Sequence, residues 1–224
     1  MSSSKKLRKT LKKNIKNTKS KKEDKKCIKV INKVINKIND SYNLKIEWKK
    51  TLYLKDIIES LKNNDKKIDF ANVKNTTFLS PDGGILYLID RNNGKHVILI
   101  TEMKSQGYKK GKTVMGNAIE RLGKNVIGFR TYMHNEYIFP FVCFGDGYDF
   151  KNDSYILDRV KTIAKFGNLN ESNIGNKHDY YSDRGSYYFR VKNWSEREMI
   201  DILYNIAERS IFYYFSQFGK KFFN

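Results

Sequence analysis

The sequence predicts an α/β fold, in which helices pack against a central sheet. Two apolar runs, residues 85–89 and 96–101, flank an Asn-Asn-Gly turn and predict a β-hairpin. Apolar residues then recur at helical spacing across residues 116–133, which predicts a helix with one side on that sheet. A chain of 224 residues is long enough to bury the core of one such domain.

The chain is strongly basic, with 44 Lys and Arg against 24 Asp and Glu and a formal net charge of +20. This charge favours a polyanionic partner, either nucleic acid or an acidic membrane surface. The sequence has no run of 18 apolar residues and no apolar signal-peptide segment, so we expect a cytoplasmic protein without membrane attachment. Cys27 and Cys143 are expected to be free, with neither a disulfide nor a zinc site.

Residues 1–26 hold twelve Lys and Arg against two acidic residues, which predicts a flexible basic tail with non-specific attraction for phosphate. We expect residues 27–224 to form a single domain. It begins with an amphipathic helix that starts near Cys27 and ends at residues 39–41. A second helix is predicted for residues 54–61, where apolar residues again share one side.

The second half of the chain continues the alternation of strands and helices. The pattern predicts a strand, a helix, a long polar loop and a short aromatic strand at residues 137–144, 155–166, 168–184 and 186–191. Pro140 indicates an edge or a bulge in the first of these strands. The spacing of Ser195 and Glu198 resembles a capping box and predicts a last helix that runs toward Phe218. Its aromatic side is explained by core burial or by packing in a homodimer.

Asp82 lies in a Pro-Asp-Gly-Gly turn before the first hairpin strand, and Glu102 and Lys104 extend the second strand. Because strand side chains alternate, Glu102 and Lys104 project to one face, and a hairpin can return Asp82 to Glu102. Two carboxylates, Asp82 and Glu102, beside an ammonium suit a hard divalent cation such as Mg²⁺. Such a site suits phosphodiester hydrolysis, in which Lys104 would orient or deprotonate the nucleophile and neutralise developing charge.

The same three residues have a simpler interpretation, an exposed hairpin end with an incidental Glu-Lys pair. Three classes of function therefore stay open. The chain is a sequence-specific nuclease, a structure-selective repair or recombination nuclease on the same scaffold, or a non-catalytic nucleic-acid-binding protein in which the carboxylates support the fold. Loss of metal-dependent cleavage on removal of Asp82 separates the two enzymes from the third class.

The start of the helix at residues 116–133 is a candidate DNA-binding element. Backbone N–H groups at a helix N-terminus favour phosphate, Asn117 can pair with an adenine edge, and Arg121 can donate in a DNA groove. The alternative is a capped surface helix with a Glu120–Arg121 charge pair.

These motifs, taken in order, resemble those of the EcoRI-type restriction endonucleases, the EcoRI/MunI-like group of the PD-(D/E)xK nuclease superfamily. The turn at residues 81–84, Glu102-Met103-Lys104 and the following Gln106-Gly107 resemble the family's catalytic motif. The segment Gly116-Asn117-Ala118-Ile119-Glu120-Arg121 resembles its recognition segment. The resemblance is clear over residues 78–145.

The resemblance implies a central mixed five-stranded sheet flanked by helices, and a Mg²⁺-dependent type II site-specific deoxyribonuclease. It implies a homodimer that cuts double-stranded DNA at a palindrome containing AATT and leaves 5′ AATT overhangs with 5′-phosphates. It also implies an adenine methyltransferase in the same prokaryotic host. The implied catalytic residues are Asp82, Glu102 and Lys104, and the implied DNA-binding residues include Gln106, Gly116, Asn117, Ala118 and Arg121.

Some positions depart from the family pattern. The connection between Gln106 and Gly116 is short, so a long DNA-wrapping arm is expected to be reduced. The basic residues expected to bind phosphate in that connection, or to approach DNA beyond it, are Lys109, Lys110, Lys112 and Arg159. Lys50 aligns with an upstream acidic residue of the family. The open candidates for a third carboxylate are Glu47, Asp56 and Glu59.

Overall fold

The structure, a computed structural model, describes residues 24–64, 76–105, 107, 116–150 and 186–223. Seven strands are found in these ranges: β1 (Ile46–Lys49), β2 (Leu52–Tyr53), β3 (Phe78–Leu79), β4 (Gly84–Ile89), β5 (Lys95–Ser105), β6 (Phe141–Asp146) and β7 (Ser186–Arg190). The α-helices of the same ranges are α1 (residues 24–42), α2 (Leu54–Asn64), α3 (Gly116–Tyr132) and α4 (Glu196–Phe218).

Five strands form one mixed sheet in the order β1-β4-β5-β6-β7, and β2 pairs with β3 in a separate two-stranded sheet. β1, β4 and β5 are antiparallel neighbours, whereas β5, β6 and β7 are parallel. Helices pack on both faces of the five-stranded sheet. The predicted fold class, a mixed five-stranded sheet flanked by helices, is confirmed.

Helices α1 and α4 cover one face of the sheet. The predicted helical spacing from Cys27 is confirmed, because its buried positions are Cys27, Val30, Ile31, Val34 and Ile38. They pack with sheet residues that include Leu86, Leu88 and Phe144. Helix α1 ends where Asn43 adopts a positive φ of 51° and donates its N–H to Asn39 O at 2.9 Å. This is close to the polar residues that were predicted to end the helix.

Helices α2 and α3 cover the opposite face. The buried residues of α3 are Leu122, Val126 and Phe129, and Met133 follows just beyond its end. They pack with Ile57 of α2 and with the strand residues Ile85, Tyr87, Ile100, Phe141 and Cys143. The helix predicted for residues 116–133 is therefore confirmed with its apolar side on the sheet.

The predicted hairpin is confirmed as β4 and β5, and Asn93 in the turn has a positive φ of 63°. Strand β6 differs from its prediction: it begins only after Pro140 and continues through Gly145 and Asp146. Strands β1, β2 and β3 were not predicted. They are four, two and two residues long, too short for an alternating apolar pattern to stand out.

The aromatic end of α4 packs within the chain. The His96 ring on β5 lies 4.9 Å from the ring of Tyr214, 5.3 Å from Phe218 and 5.2 Å from Phe223, measured between centroids. The Asp90 carboxylate lies 2.9 Å from His96 Nε2. Core burial therefore accounts for much of this aromatic side, although Phe218 is still 51% exposed.

Both cysteines are buried, and neither forms a disulfide in the described part of the chain. Burial raises the pKa of Cys27 to about 12 and also raises that of Cys143, so neither thiol is a candidate nucleophile at neutral pH. Among the helices of the described ranges, none is long and apolar enough to cross a membrane. Helix α1 includes residues 24–26 of the predicted tail. Residues 1–23, the helix predicted at 155–166 and the loop predicted at 168–184 lie outside the described residues.

The capping box at the start of α4 is expected to stabilise the fold. Ser195 Oγ accepts from the N–H of Glu198 at 3.3 Å, and Glu198 Oε2 accepts from the N–H of Ser195 at 2.9 Å. Replacing Ser195 by Ala should lower the free energy of unfolding by about 1 kcal/mol, because a helix N–H loses its partner. Urea denaturation measures this loss. Ser216→Ala, in the exposed last turn, is the control and should cost less; equal losses would contradict a specific role for the cap.

Candidate active site

The site forms where β5 extends beyond β4. Gly84 at the start of β4 pairs with Thr101, whereas β5 continues to Ser105. Beyond the end of the pairing, the N–H of Met103 donates to Asp82 Oδ2 at 2.9 Å. The carboxylate of Asp82 thus occupies the place that a continuing strand would take.

The turn before β4 is tight enough to require glycine. The N–H of Gly84 donates to Pro81 O at 3.0 Å, and Gly84 has a φ of 79°. A Cβ at Gly84 would lie 2.4 Å from Trp48 Nε1 and 2.7 Å from the carbonyl oxygen of Lys49. The Pro-Asp-Gly-Gly sequence therefore allows β1 to pass close to the turn.

The structure brings Asp82, Glu102 and Lys104 together, as the hairpin prediction required. The ammonium of Lys104 contacts Glu102 Oε1 and lies 3.4 Å from Asp82 Oδ2. The N–H of Asp82 donates to Glu102 Oε2 at 3.2 Å. The exposed fraction of the side chain is 2% for Glu102, 16% for Lys104 and 24% for Asp82. Glu102 therefore lies at the buried end of the cluster, and Asp82 lies at its accessible end.

Burial dominates the electrostatics of this cluster. Burial raises the pKa of Glu102 to about 7; Lys104 opposes the rise, whereas the Asp82 carboxylate adds to it. For Lys104, burial disfavours the charged form, but the two carboxylates outweigh burial and raise its pKa above the ordinary value. A cation near Glu102 is therefore strongly favoured, and Lys104 is charged at neutral pH in the metal-free site.

A further carboxylate, Asp24, approaches from α1. Burial raises the pKa of Asp24, and Lys50, Asp82 and Lys104 lie near enough to shift it as well. One helical turn further on, Cys27 Sγ lies 3.8 Å from Met103 Sδ, which places the start of α1 against the middle of the Glu-Met-Lys motif. The sequence offered three candidates for a third carboxylate of the site. One of them, Glu47, forms an ion pair with Lys95 Nζ at 2.6 Å. Asp56 and Glu59 lie on α2.

Helix α3 connects the predicted recognition segment to this cluster. It begins at Gly116, so the Gly-Asn-Ala sequence forms its first residues, and Arg121 follows with an exposed side chain. Asn125, one turn after Arg121, donates through Nδ2 to Glu102 Oε1 at 3.4 Å. Predicted recognition and catalytic residues are therefore carried on elements in direct contact.

Comparison with known proteins places the chain in a family. The family model described as restriction endonuclease EcoRI matches residues 10–223. The chain belongs to the EcoRI family of restriction endonucleases. It is 29% identical over 213 residues to the type II restriction enzyme RsrI from Cereibacter sphaeroides, an alignment that covers 77% of each chain. It is 26% identical over 216 residues to the type II restriction enzyme EcoRI from Escherichia coli, with 77% of this chain and 78% of that protein covered.

Membership of the EcoRI family confirms both the predicted family and the predicted class of enzyme, a restriction endonuclease. Double-stranded DNA is accordingly the macromolecule on which it acts. The matched residues extend well beyond the stretch in which the motifs are clear in the sequence.

Several predicted DNA-binding residues of this EcoRI-family chain lie outside the described residues: Gln106, Lys109, Lys110, Lys112 and Arg159. The side chains of Gly116, Asn117 and Ala118 also lie outside them, although their backbone begins α3. Their predicted roles stay predictions. Within the described residues, no group of three or more His, Cys, Asp and Glu side chains is arranged to hold a metal ion.

The sequence did not predict Asp24 or Asn125 in this site, and it indicated Lys50 only through alignment with an acidic residue of the family. Asn125 carries a usable signal, since it lies four residues after Arg121 and eight after Asn117, which places all three on one side of a helix. Lys50 and Asp24 carry no such signal. Each is brought to the site by tertiary packing, through β1 for Lys50 and α1 for Asp24.

The raised pKa of Glu102 predicts a pH dependence of stability in metal-free protein. A carboxyl with a folded-state pKa of about 7 and an ordinary unfolded value holds more protons when folded, so wild-type stability falls as pH rises between about 4.5 and 7. Glu102→Gln mimics the protonated carboxyl, so its free energy of unfolding should not show this fall. The fall amounts to about 1.4 kcal/mol for each tenfold difference in proton affinity between the folded and unfolded states. Urea unfolding in EDTA from pH 5 to 8 measures the difference.

Parallel stability curves for wild type and Glu102→Gln would contradict the prediction. Carbon NMR titration of the Glu102 carboxyl in folded, metal-free protein provides a second measurement. A midpoint close to that of an ordinary glutamate would contradict it as well.

Proposed function

We propose that this chain is a type II restriction endonuclease that hydrolyses both strands of DNA at a palindrome containing AATT. The observation that carries the proposal is the contact between Asp82, Glu102 and Lys104 at the end of β5, beside α3, in a chain of the EcoRI family. The residues at the start of α3, Gly-Asn-Ala-Ile-Glu-Arg, support the target sequence by their resemblance to the family's recognition segment. Cutting before AATT gives 5′ overhangs and 5′-phosphates.

The donor set fits a hard divalent cation such as Mg²⁺. Asp82 and Glu102 present carboxylate oxygens from the turn and from β5, and Mg²⁺ commonly takes one or two carboxylates together with oxygens of a phosphate substrate. Asp82 is the more accessible of the two, so it faces the side from which DNA would approach. A bound cation would supply Lewis acidity toward the scissile phosphate and activate water for attack.

Lys104 is proposed to neutralise the charge that develops on the phosphate. Its ammonium lies beside both carboxylates, which raise its pKa and hold it in the charged form. A charged ammonium is a donor and a point charge rather than a base, so charge neutralisation is favoured over proton abstraction in this state. Contacts to Asp82 and Glu102 hold the ammonium in place before DNA binds.

Helix α3 is proposed to read the inner base pairs. Its N-terminal N–H groups favour phosphate, and an asparagine in the first turn can bond both edge atoms of an adenine in the major groove. We assign this reading to Asn117, with Ala118 and Gly116 allowing close approach and Arg121 donating in the groove. Lys109, Lys110, Lys112, Gln106 and Arg159 are proposed to bind the DNA backbone or approach the cut strand.

A palindromic target favours a homodimer, because two-fold symmetry in the DNA matches two-fold symmetry in the protein. Each subunit would then cut one strand. An enzyme that cuts AATT sites would also destroy its host's DNA, so we propose a host adenine methyltransferase that protects those sites, without direct contact. We propose that it acts on DNA in the prokaryotic cytoplasm.

Plasmid digestion tests the activity and the target. Incubation with Mg²⁺ should give discrete fragments whose sequenced ends carry 5′ AATT overhangs, and adenine methylation of the sites should prevent cutting. Fragment ends that do not coincide with AATT would contradict the proposed target sequence. Preferential cutting of branched DNA would favour a repair or recombination nuclease, and complete absence of metal-dependent cutting would favour a non-catalytic DNA-binding protein.

Removal of one carboxylate tests the site. Asp82→Ala should abolish measurable cleavage while DNA affinity in EDTA is kept or increased, because a negative charge near the phosphates is removed. Asp201→Ala, which removes an exposed carboxylate from α4, is the matched control and should cleave as wild type does. Rapid cleavage by Asp82→Ala would exclude Asp82 from the metal site.

A further inference from the structure

Two side chains at the end of β1 hold the turn that carries Asp82. Lys50 Nζ donates to Pro81 O at 3.1 Å and to Asp82 O at 2.7 Å. Trp48 Nε1 donates to the next carbonyl, Gly83 O, at 2.9 Å. Three successive carbonyls of the turn are thus bound by side chains from one strand end. We call Trp48 and Lys50 the β1 clamp.

The β1 clamp acts on the side of the turn opposite to the carboxylate cluster. In a trans peptide unit the C=O and the N–H point in opposite directions. The unit between Pro81 and Asp82 gives its C=O to Lys50 and its N–H to Glu102 Oε2, 3.2 Å away. Lys50 is therefore linked to Glu102 through a single rigid peptide plane.

The next peptide unit follows the same pattern. The C=O of Asp82 accepts from Lys50, and the N–H of Gly83 donates to Thr101 O at 2.9 Å on β5. With both flanking planes fixed, the Cα–Cβ bond of Asp82 has a fixed direction. Its carboxylate is then held to the N–H of Met103 at 2.9 Å.

Trp48 of the β1 clamp lies in a paired strand, and Lys50 directly follows that strand. Trp48 pairs with Leu86 and Lys49 with Ile85, so the strand end passes directly beside the start of β4. Lys50 is the first residue after β1, and its side chain reaches the same turn as that of Trp48. Ser80 Oγ in turn lies 3.4 Å from the carbonyl oxygen of Lys50, which ties the clamp to the residue before the turn.

We propose that Lys50 and Trp48 are positioning residues for DNA cleavage, which fix Asp82 directly and Glu102 through the Pro81–Asp82 peptide. The inference rests on the proposed function, because it assigns to the β1 clamp the geometry of the proposed metal ligands. Lys50 directs two of its ammonium donors to main-chain carbonyls of the turn, so its role is on the protein side of the site. DNA affinity does not depend on it.

Three substitutions test the β1 clamp. Lys50→Met removes both hydrogen bonds of Lys50, Lys50→Arg keeps donors at that position, and Trp48→Phe removes one hydrogen bond without changing charge. Lys49→Met is the matched control, since it removes the same charge from the adjacent residue, whose side chain is directed toward Glu47. Circular dichroism and urea unfolding establish that each variant is folded.

Single-turnover cleavage with enzyme in excess is measured beside the DNA dissociation constant in EDTA. The rate for Lys50→Met should fall about 10- to 100-fold, as expected when groups that orient metal ligands are lost, while the dissociation constant stays near the wild-type value. Lys50→Arg should recover part of the rate. Trp48→Phe should lose rate and should also bind Mn²⁺ more weakly by calorimetry. Lys49→Met should match wild type in every measurement.

Three results would overturn the inference while leaving the proposed function intact. These are wild-type rates in both Lys50→Met and Trp48→Phe, a loss of DNA affinity in Lys50→Met as large as its loss of rate, and Mn²⁺ binding unchanged in Trp48→Phe. If Lys50→Met does not fold, the rate and Mn²⁺ affinity of Trp48→Phe decide. A wild-type enzyme without metal-dependent cleavage would instead remove the proposed function, and the inference with it.

Discussion

The candidate site depends on a difference in length between neighbouring strands. β5 continues for four residues beyond the Gly84–Thr101 pair that ends its ladder with β4. On its other side β5 stays paired with β6 as far as Ser105 and Asp146, so the extension is held straight. A straight, half-paired strand end offers backbone N–H groups to one side and regularly spaced side chains to a sheet face. The Asp82 carboxylate accepts from one of these N–H groups, that of Met103, and Glu102 and Lys104 are the side chains on the sheet face.

The cost of burying Glu102 explains the composition of its surroundings. A carboxylate with 2% side-chain exposure is disfavoured unless it is paired and hydrogen-bonded. Lys104, the N–H of Asp82 and Asn125 each supply part of that compensation. Burial still raises the pKa of Glu102, so these partners offset only part of the cost. The proposed divalent cation would supply further compensation, because a nearby positive charge favours the ionised carboxylate.

The sequence predicted those parts of the fold that local patterns determine. The hairpin, the apolar side of α3 and the Ser195 capping box depend on neighbouring residues, and all are present. Strand β1 was not predicted, because its alternation of apolar and charged residues spans only four positions and its place in the sheet comes from pairing with β4. From the hairpin and the alternation of strand side chains, the sequence predicted that Asp82, Glu102 and Lys104 lie close together. The β1 clamp depends on that unpredicted strand, so Lys50 was seen only as a departure from an expected acidic position.

Chain order and packing both connect the proposed catalytic residues to the proposed recognition helix. Helix α3 follows β5 along the chain after a short connection, so its start is tied to the strand end that carries Lys104. The same helix returns to the site one turn after Arg121, where Asn125 contacts Glu102 at 3.4 Å. Leu122, Val126 and Phe129 anchor α3 on the sheet along this stretch. A displacement of α3 along its axis therefore changes the Asn125–Glu102 distance directly, and this contact would connect DNA binding by the proposed recognition helix to the buried carboxylate.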